Sequence, residues 1–286
     1  MSAPLVCDAA RTAQLLDFPS LMEAVAQAAA EVDEGALLSP PRMVVPFGHG
    51  GVMLSMPATA PDITVHKLVN VQRANVQQGL PTIHGIVTAC DAATGQPLCL
   101  LDGPEVTGRR TAAVTLLALR ALLGRAPQQV LLIGAGAQSR HHQLALQTVF
   151  PQARVQVRGR DAAGADIPDD IDAVITLTTS TEPVYDEPAH AGRVVIGVGA
   201  FKPEMAEIGK RTLDGSDLYA DDPLGARHEA GDLLRAGIDW SRVKSLGSLL
   251  RQAPNLHRPA VFKSVGTAAW DLAAARTALR ALRATI

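Results

Sequence analysis

Three textures in the sequence predict an α/β chain of two domains, one interrupting the other. Residues 42–101 break into short strand-like pieces separated by turn residues. Residues 129–200 alternate aliphatic strands with a helix, and the chain closes on a long Ala-rich helical pattern. Together these predict a doubly wound domain at 125–262. Beside it they predict an α+β domain built from residues 1–124 and a returning helix at 263–286.

The elements follow in order. "DFPSLMEAVAQAAAEVDEG" (17–35) reads as a helix: Asp17 or Ser20 caps it, Leu21, Val25, Ala28 and Val32 recur at helical spacing, and Gly35 ends it. "RMVVPF", "GVMLSM", "ITVHKLVN", "TIHGIVTA" and "QPLCLL" read as strands. The gaps between them are too short for a full crossover helix, so the sheet is predicted to be largely antiparallel, with a short helix in "NVQRANVQQG" leaving room for one parallel pairing. "VTGRRTAAVTLLALRALLG" (106–124) reads as a helix capped by Thr107 and stopped by Gly124. The strands "QVLLIGAG", "ARVQVRGR", "DAVITLTTS" and "GRVVIGVGA" follow, with "AQSRHHQLALQTVF" as the helix after the first. "VFKSVGTAAWDLAAARTALRALRA" is predicted to be one long final helix.

Composition narrows the function classes. The 286 residues are 47% hydrophobic but only 3% aromatic, so Ala, Leu and Val must build the cores. A net charge of -2 and the lack of any long Lys/Arg block argue against nucleic acid or an anionic membrane as partner. Cys7, Cys90 and Cys99 have neither metal-ligand spacing nor an even count, so neither a metal site nor a disulfide scaffold is expected. The opening residues show no basic leader or apolar run, and no stretch approaches a membrane span; a cytoplasmic protein is expected.

"VLLIGAGAQSRHH" (130–142) is the first chemical signal. Gly134 permits a tight turn, Gly136 lets a pyrophosphate approach the backbone, and the helix opening at Ala137 and Gln138 offers free N–H groups to the anion. Ser139 is small enough for close helix–strand packing in place of a third glycine. The pattern predicts a Rossmann-type dinucleotide domain. Its second strand ends in "VRGRD", where an acidic residue would accept from a free ribose. Arg158 and Arg160 there suit a 2'-phosphate and favour NADPH over NADH, while Asp161 offers the competing ribose contact. Thr178, after the third strand, completes the candidate cofactor contacts.

The other domain supplies cations. Arg110 stands three residues after Thr107, where a helix start favours Glu or Gln; Arg109 and Arg110 oppose that rule and point to a compensating anion. Strand alternation puts Lys67 on the face of Ile63, Val65 and Val69, either snorkelling at an edge or pointing into a cleft, with His66 facing the other way. Arg42, Lys67 and Arg110 are therefore candidates to clamp a small carboxylate.

The pattern as a whole resembles the ornithine cyclodeaminase/mu-crystallin family. The motifs "PRMVVPF", "HKLVN" with Asn75 after it, "GLPTIHG", "DAATGQPLCLLDG", "VTGRRTAAV", "IGAGAQSRHH" and "VFKSVGTAAWDLAAA" carry the match and arrive in family order. The resemblance implies an NAD(P)-dependent homodimer whose first domain supplies both substrate pocket and dimer interface. It implies that Arg42, Lys67 and Arg110 hold the substrate carboxylate and that Thr82 lies beside the substrate; Lys67 is the candidate catalytic residue, with ordered solvent or Asp214 as the alternative proton carriers. On the cofactor side it implies Gly134, Gly136, Gln138 and Arg160. Two departures stand out: only "DAAGADIPDDI" separates the second and third strands, and Glu207-Ile208 is followed by Gly209 where the resemblance implies an aspartate in the cyclodeaminases. The second favours the family's ketimine reductases, acting on 1-pyrroline-2-carboxylate or 1-piperideine-2-carboxylate. Ornithine cyclodeaminase or another amino-acid dehydrogenase is the alternative.

Overall fold

The structure is a computed structural model and describes residues 3–159 and 166–284. It divides into two compact units, Met1–Arg110 with Thr267–Ile286, and Thr111–Gly266. The division falls inside a helix and after a loop, not at the predicted 124/125 and 262/263.

The first unit opens with β1 (Leu5–Val6), α1 (Ala9–Leu15) and α2 (Phe18–Asp33). Asp17 caps α2 by accepting from the Ser20 N–H, and Gly35, at φ +73°, turns the chain out of it. The strands β2 (Met43–Phe47), β3 (Gly51–Thr59), β4 (Ile63–Val71), β5 (Ile83–Asp91) and β6 (Pro97–Asp102) form one sheet with β1, in the order β1-β6-β5-β4-β3-β2. Every pairing from β2 to β6 is antiparallel. The short helix in "NVQRANVQQG" is a 3₁₀ turn, Arg73–Gln78, and joins two antiparallel strands. The one parallel pairing is β1 with β6. A two-residue strand carries no readable alternation, so β1 and α1 went unpredicted.

The returning helix is α9 (Ala268–Arg283), capped by Thr267, whose hydroxyl accepts from the Ala269 N–H. It packs on α2 and on the inner face of β3, β4 and β5. Arg276 fastens it there through Asp62, with bonds of 2.6 and 2.9 Å, and through Glu31 at 2.7 Å. The helix is shorter than predicted, because "VFK" lies in the strand β13 (Ala260–Lys263) and the turn before Thr267 contains Gly266 at φ +79°.

The helix α3 (Gly103–Leu123) carries the chain between the units. It starts three residues before the predicted Val106, because the Asp102 carboxylate accepts from the Glu105 N–H at 2.7 Å and caps it there. Thr107 therefore sits inside the helix and caps nothing. Gly103 is needed at the start: a Cβ would lie 2.6 Å from the backbone of Gly85.

The second unit is a seven-stranded, wholly parallel sheet. Its strands are β7 (Gln129–Ile133), β8 (Arg154–Arg158), β9 (Ala173–Thr176), β10 (Val194–Gly197), β11 (Asp217–Ala220), β12 (Val243–Ser245) and β13. The order is β12-β11-β13-β10-β9-β7-β8, so the chain reverses its direction of travel at β7. The crevice outside the carboxyl ends of β7 and β9 is where such sheets take ligands. The helices are α4 (Ala137–Val149), α5 (Lys210–Asp214), α6 (Pro223–Glu229), α7 (Gly231–Ala236) and α8 (Leu246–Arg251). Among the described residues no helix is long and apolar enough to cross a membrane, and no cluster of His, Cys, Asp or Glu is arranged to hold a metal ion.

Candidate functional site

Lys67 is fixed by register. On β4 it sits between Met56 of β3 and Val87 of β5, on the face that also buries Ile63, Val65 and Val69, and it is only 2% exposed. An ammonium on that face needs a counter-charge, and α9 brings one: Asp271 Oδ2 lies 2.7 Å from Lys67 Nζ. The other carboxylate oxygen faces Arg110 Nε of α3 at 3.5 Å. Asp271 is fully buried and in the first turn of α9, where the helix end also favours a negative charge. The sequence reading passed over it. A single Asp inside the apolar run "GTAAWDLAAA" was the signal that could have found it.

The cluster holds two cations and one anion. Neither Asp271 oxygen makes a well-aligned hydrogen bond, so charge rather than directed bonding joins the group. Among the described residues only Asp271 pairs with Arg110, its Oδ1 lying 3.5 Å from Nε. Burial pushes the Lys67 ammonium down to about 8; Asp271 pulls it back up, while Arg110 and Arg42 push it further down. Arg42 thus acts on Lys67 through its field, from a half-buried place just before β2. Thr82 is not joined to this group by any hydrogen bond or ion pair among the described residues; its carbonyl accepts from Gln72 N at 2.8 Å in the loop before β5.

Arg109 and Arg110, paired in the helix-start argument, part company. Arg109 donates to Glu105 at 2.6 Å and to the Leu16 carbonyl at 3.1 Å, and stacks over Phe18, so it is structural. Arg110 belongs to the charge cluster, although the helix-start reason offered for it does not hold. His66 points to the outer face and meets Ser55 Oγ at 2.8 Å.

In the second unit a cavity of about 810 Å³ opens at the carboxyl ends of β7 and β9, lined by Gly134, Gly136, Arg158 and Thr178 among others. Gly134 has φ +122°, and a Cβ there would lie 2.7 Å from the Leu177 carbonyl. Gly136 is different: nothing lies within 4 Å of where its Cβ would stand. It is the N-cap of α4, and no side chain caps that helix. Ala137, exposed, and Gln138 open the first turn, whose backbone donors face no capping group. A turn that only glycine can make, an open approach and an uncapped 13-residue helix fit a dinucleotide pyrophosphate. Ser139 is buried, as close helix packing requires. Arg158 lines the cavity and donates to the Asp166 carbonyl at 2.7 Å. Arg160 and Asp161 lie outside the described residues.

Gly209 has a structural explanation. It caps α5, and a Cβ there would run into the Asp186 carboxylate, which accepts from the Arg211 N–H at 2.9 Å. An added Cβ would displace the exposed Asp186 side chain.

Fold and sites together define a class: a two-unit α/β protein with a dinucleotide-type sheet in one unit and a buried cationic cluster in the other. The chain belongs to the ornithine cyclodeaminase/mu-crystallin family, whose model matches residues 3–167. It is 52% identical to Delta(1)-pyrroline-2-carboxylate reductase 2 of Burkholderia ambifaria, over 97% of this chain and 96% of that one. It is likewise 52% identical to the Delta(1)-pyrroline-2-carboxylate/Delta(1)-piperideine-2-carboxylate reductase of Azospirillum brasilense, over 98% and 96%. The fold matches the Thermococcus litoralis Delta(1)-pyrroline-2-carboxylate reductase solved with NADH and L-proline, with a TM-score of 0.83, 23% identity, and coverage of 99% and 98%.

Proposed function

We propose that the chain is an NAD(P)H-dependent oxidoreductase that reduces a cyclic ketimine 2-carboxylate, 1-pyrroline-2-carboxylate to L-proline, with 1-piperideine-2-carboxylate to L-pipecolate as the six-membered counterpart. The observation that carries it is the excess positive charge at Lys67, Arg110 and Asp271. A substrate carboxylate completes that set as a second anion, with the Arg110 fork supplying the planar contact. The relatives at 52% identity act on this class of substrate.

The reaction adds a hydride to the ring carbon that bears the carboxylate and a proton to the ring nitrogen, turning C=N into CH–NH. When bound, the reduced nicotinamide supplies the hydride. Lys67 holds the carboxylate and, with its ammonium held near 8, is able to release a proton to an imine that arrives neutral. Asp271 keeps Lys67 and Arg110 facing one point. The cavity at Gly134 and Gly136 takes the nucleotide, and Arg158 with Arg160 favours NADPH, NADH being the weaker cofactor.

The test supplies 1-pyrroline-2-carboxylate with NADPH and follows absorbance, beside ornithine with NAD+ followed by ammonia release. Fast imine-dependent oxidation and little ammonia are expected; ornithine turnover at an equal or higher rate refutes the proposal. Arg158→Ala is expected to weaken NADPH by roughly 10- to 150-fold, the range of a charge-assisted contact, while sparing NADH. Equal affinity of the parent for both nucleotides refutes the preference.

A further inference from the structure

The loops beyond β9 and β10 are tied together by one buried side chain. Glu207 is fully buried. Its Oε1 accepts from the Thr178 N–H at 2.5 Å and the Thr178 hydroxyl at 2.9 Å. Its Oε2 accepts from the N–H groups of Gly199, at 2.6 Å, and Ala200, at 3.0 Å. Its backbone carbonyl accepts from the Val184 and Tyr185 N–H groups at 2.8 and 2.9 Å. One residue thus holds both ends of the segment 178–185, which forms a wall of the nucleotide cavity.

Glu207 is itself held. Its N–H and that of Ile208, the latter at 2.8 Å, donate to Asp232 Oδ1, and Asp232 Oδ2 faces Lys263 Nζ at 2.5 Å. Lys263 is fully buried and Asp232 is 2% exposed. Burying two carboxylates and an ammonium costs more than packing apolar groups of the same volume, so this set is poorly explained as a source of stability. Both Glu207 oxygens accept from loop donors. The Gly199 position is equally tight, since a Cβ there would strike the Thr178 carbonyl.

We propose that Glu207, backed by Asp232 and Lys263, is a positioning residue that fixes the 178–185 wall of the cavity and so sets the affinity for the nicotinamide nucleotide. The inference rests on the cavity being the nucleotide site and goes beyond it. Glu207 touches neither substrate nor cofactor; it acts through Thr178 and the loop backbone. Glutamine is the informative replacement. Its shape is the same, but its NH₂ replaces an acceptor: facing Gly199 and Ala200 it loses two bonds, and facing Thr178 it loses the backbone bond while the hydroxyl turns to accept.

Glu207→Gln is tested by titrating NADPH against the protein's own fluorescence, without substrate. Affinity is expected to fall about tenfold or more, the range of lost charge-assisted bonds, with kcat at saturating NADPH within about threefold and the KM for the imine unchanged. Amide exchange at Thr178, Gly199 and Ala200 in the nucleotide-free protein is expected to accelerate, while exchange in β7 does not. Asp232→Asn, which keeps an acceptor for the Glu207 and Ile208 N–H groups but loses the charge facing Lys263 and lies outside the cavity lining, is expected to show a smaller loss of the same kind, and it decides the matter if Glu207→Gln does not fold. NADPH affinity within twofold of the parent in the folded variants overturns the inference, as does a fall in kcat with affinity retained. A parent that binds no nicotinamide nucleotide overturns the reading of the cavity, and this inference with it.

Discussion

Lys67 carries the most chemistry of any single residue here, and its charge is adjustable. Its ammonium titrates near 8 in the folded chain against 10.5 for a free lysine, because burial outweighs the pull of Asp271. Below about pH 8 the cluster carries its full positive excess; above it the excess is lost. Affinity for a planar five-membered-ring carboxylate whose ring nitrogen does not titrate is therefore expected to fall as pH rises through about 8. In Lys67→Arg that fall is expected to vanish, since guanidinium stays charged; calorimetric titration across pH 6.5–9.5 checks it, in the window the folded value sets. The same shift has a sign for stability. Between about 8 and 10.5 the unfolded chain binds more protons than the folded one, so Lys67 contributes stability that rises with pH across that window. Arg110 is a separate case: Arg110→Lys keeps charge but loses the fork. The KM for the imine is expected to rise roughly 10- to 150-fold with NADPH affinity unchanged, and steady-state kinetics with either substrate varied will show it. An unchanged KM would place Arg110 outside the substrate contact.

At the scale of elements, the glycine turn separates two demands that the sequence shows as one motif. Gly134 is required by the fold: its φ of +122° and the Leu177 carbonyl 2.7 Å from a Cβ leave no alternative. Gly134→Ala is expected to cost about 1–3 kcal/mol in urea unfolding and to abolish nucleotide binding. Gly136 meets nothing within 4 Å, so Gly136→Ala is expected to leave stability within about 0.5 kcal/mol while weakening NADPH. Equal stability losses in the two variants would refute the distinction. This turn was legible because strand, glycine and helix are contiguous in sequence. So were α2, through its cap and its helical spacing, and Lys67, through strand alternation. What was not legible depended on partners far away in the chain. Asp271 gains meaning only once α9 lies on β4, 204 residues after Lys67. The start of α3 moved because an aspartate in a strand caps it. Strands β11 and β12 are only four and three residues long, too short for periodicity to announce them.

For the whole molecule, Met43 and Phe47 of β2 and Ile86 of β5 lie exposed on the face of the first unit's sheet that also carries His66, opposite the face of Lys67. Large apolar side chains gathered on one sheet mark an association surface, and a second copy of the chain is the proposed occupant. Sedimentation equilibrium is expected to give twice the mass of one chain, with Ile86→Glu shifting it toward the single-chain value; a parent monomeric at every concentration would refute this. The second unit is continuous in sequence, Thr111–Gly266, whereas the first needs both Met1–Arg110 and Thr267–Ile286. A ribosome delivers these parts in order. The sheet of the first unit emerges with a lysine on its inner face, and the helix that covers that face and neutralises the lysine comes only after the intervening unit has been made. During synthesis the intervening unit is therefore free to fold while the earlier one still waits, its apolar face uncovered, for its closing piece. The set of Lys67, Arg110 and Asp271 is therefore joined only after the whole intervening unit has been made.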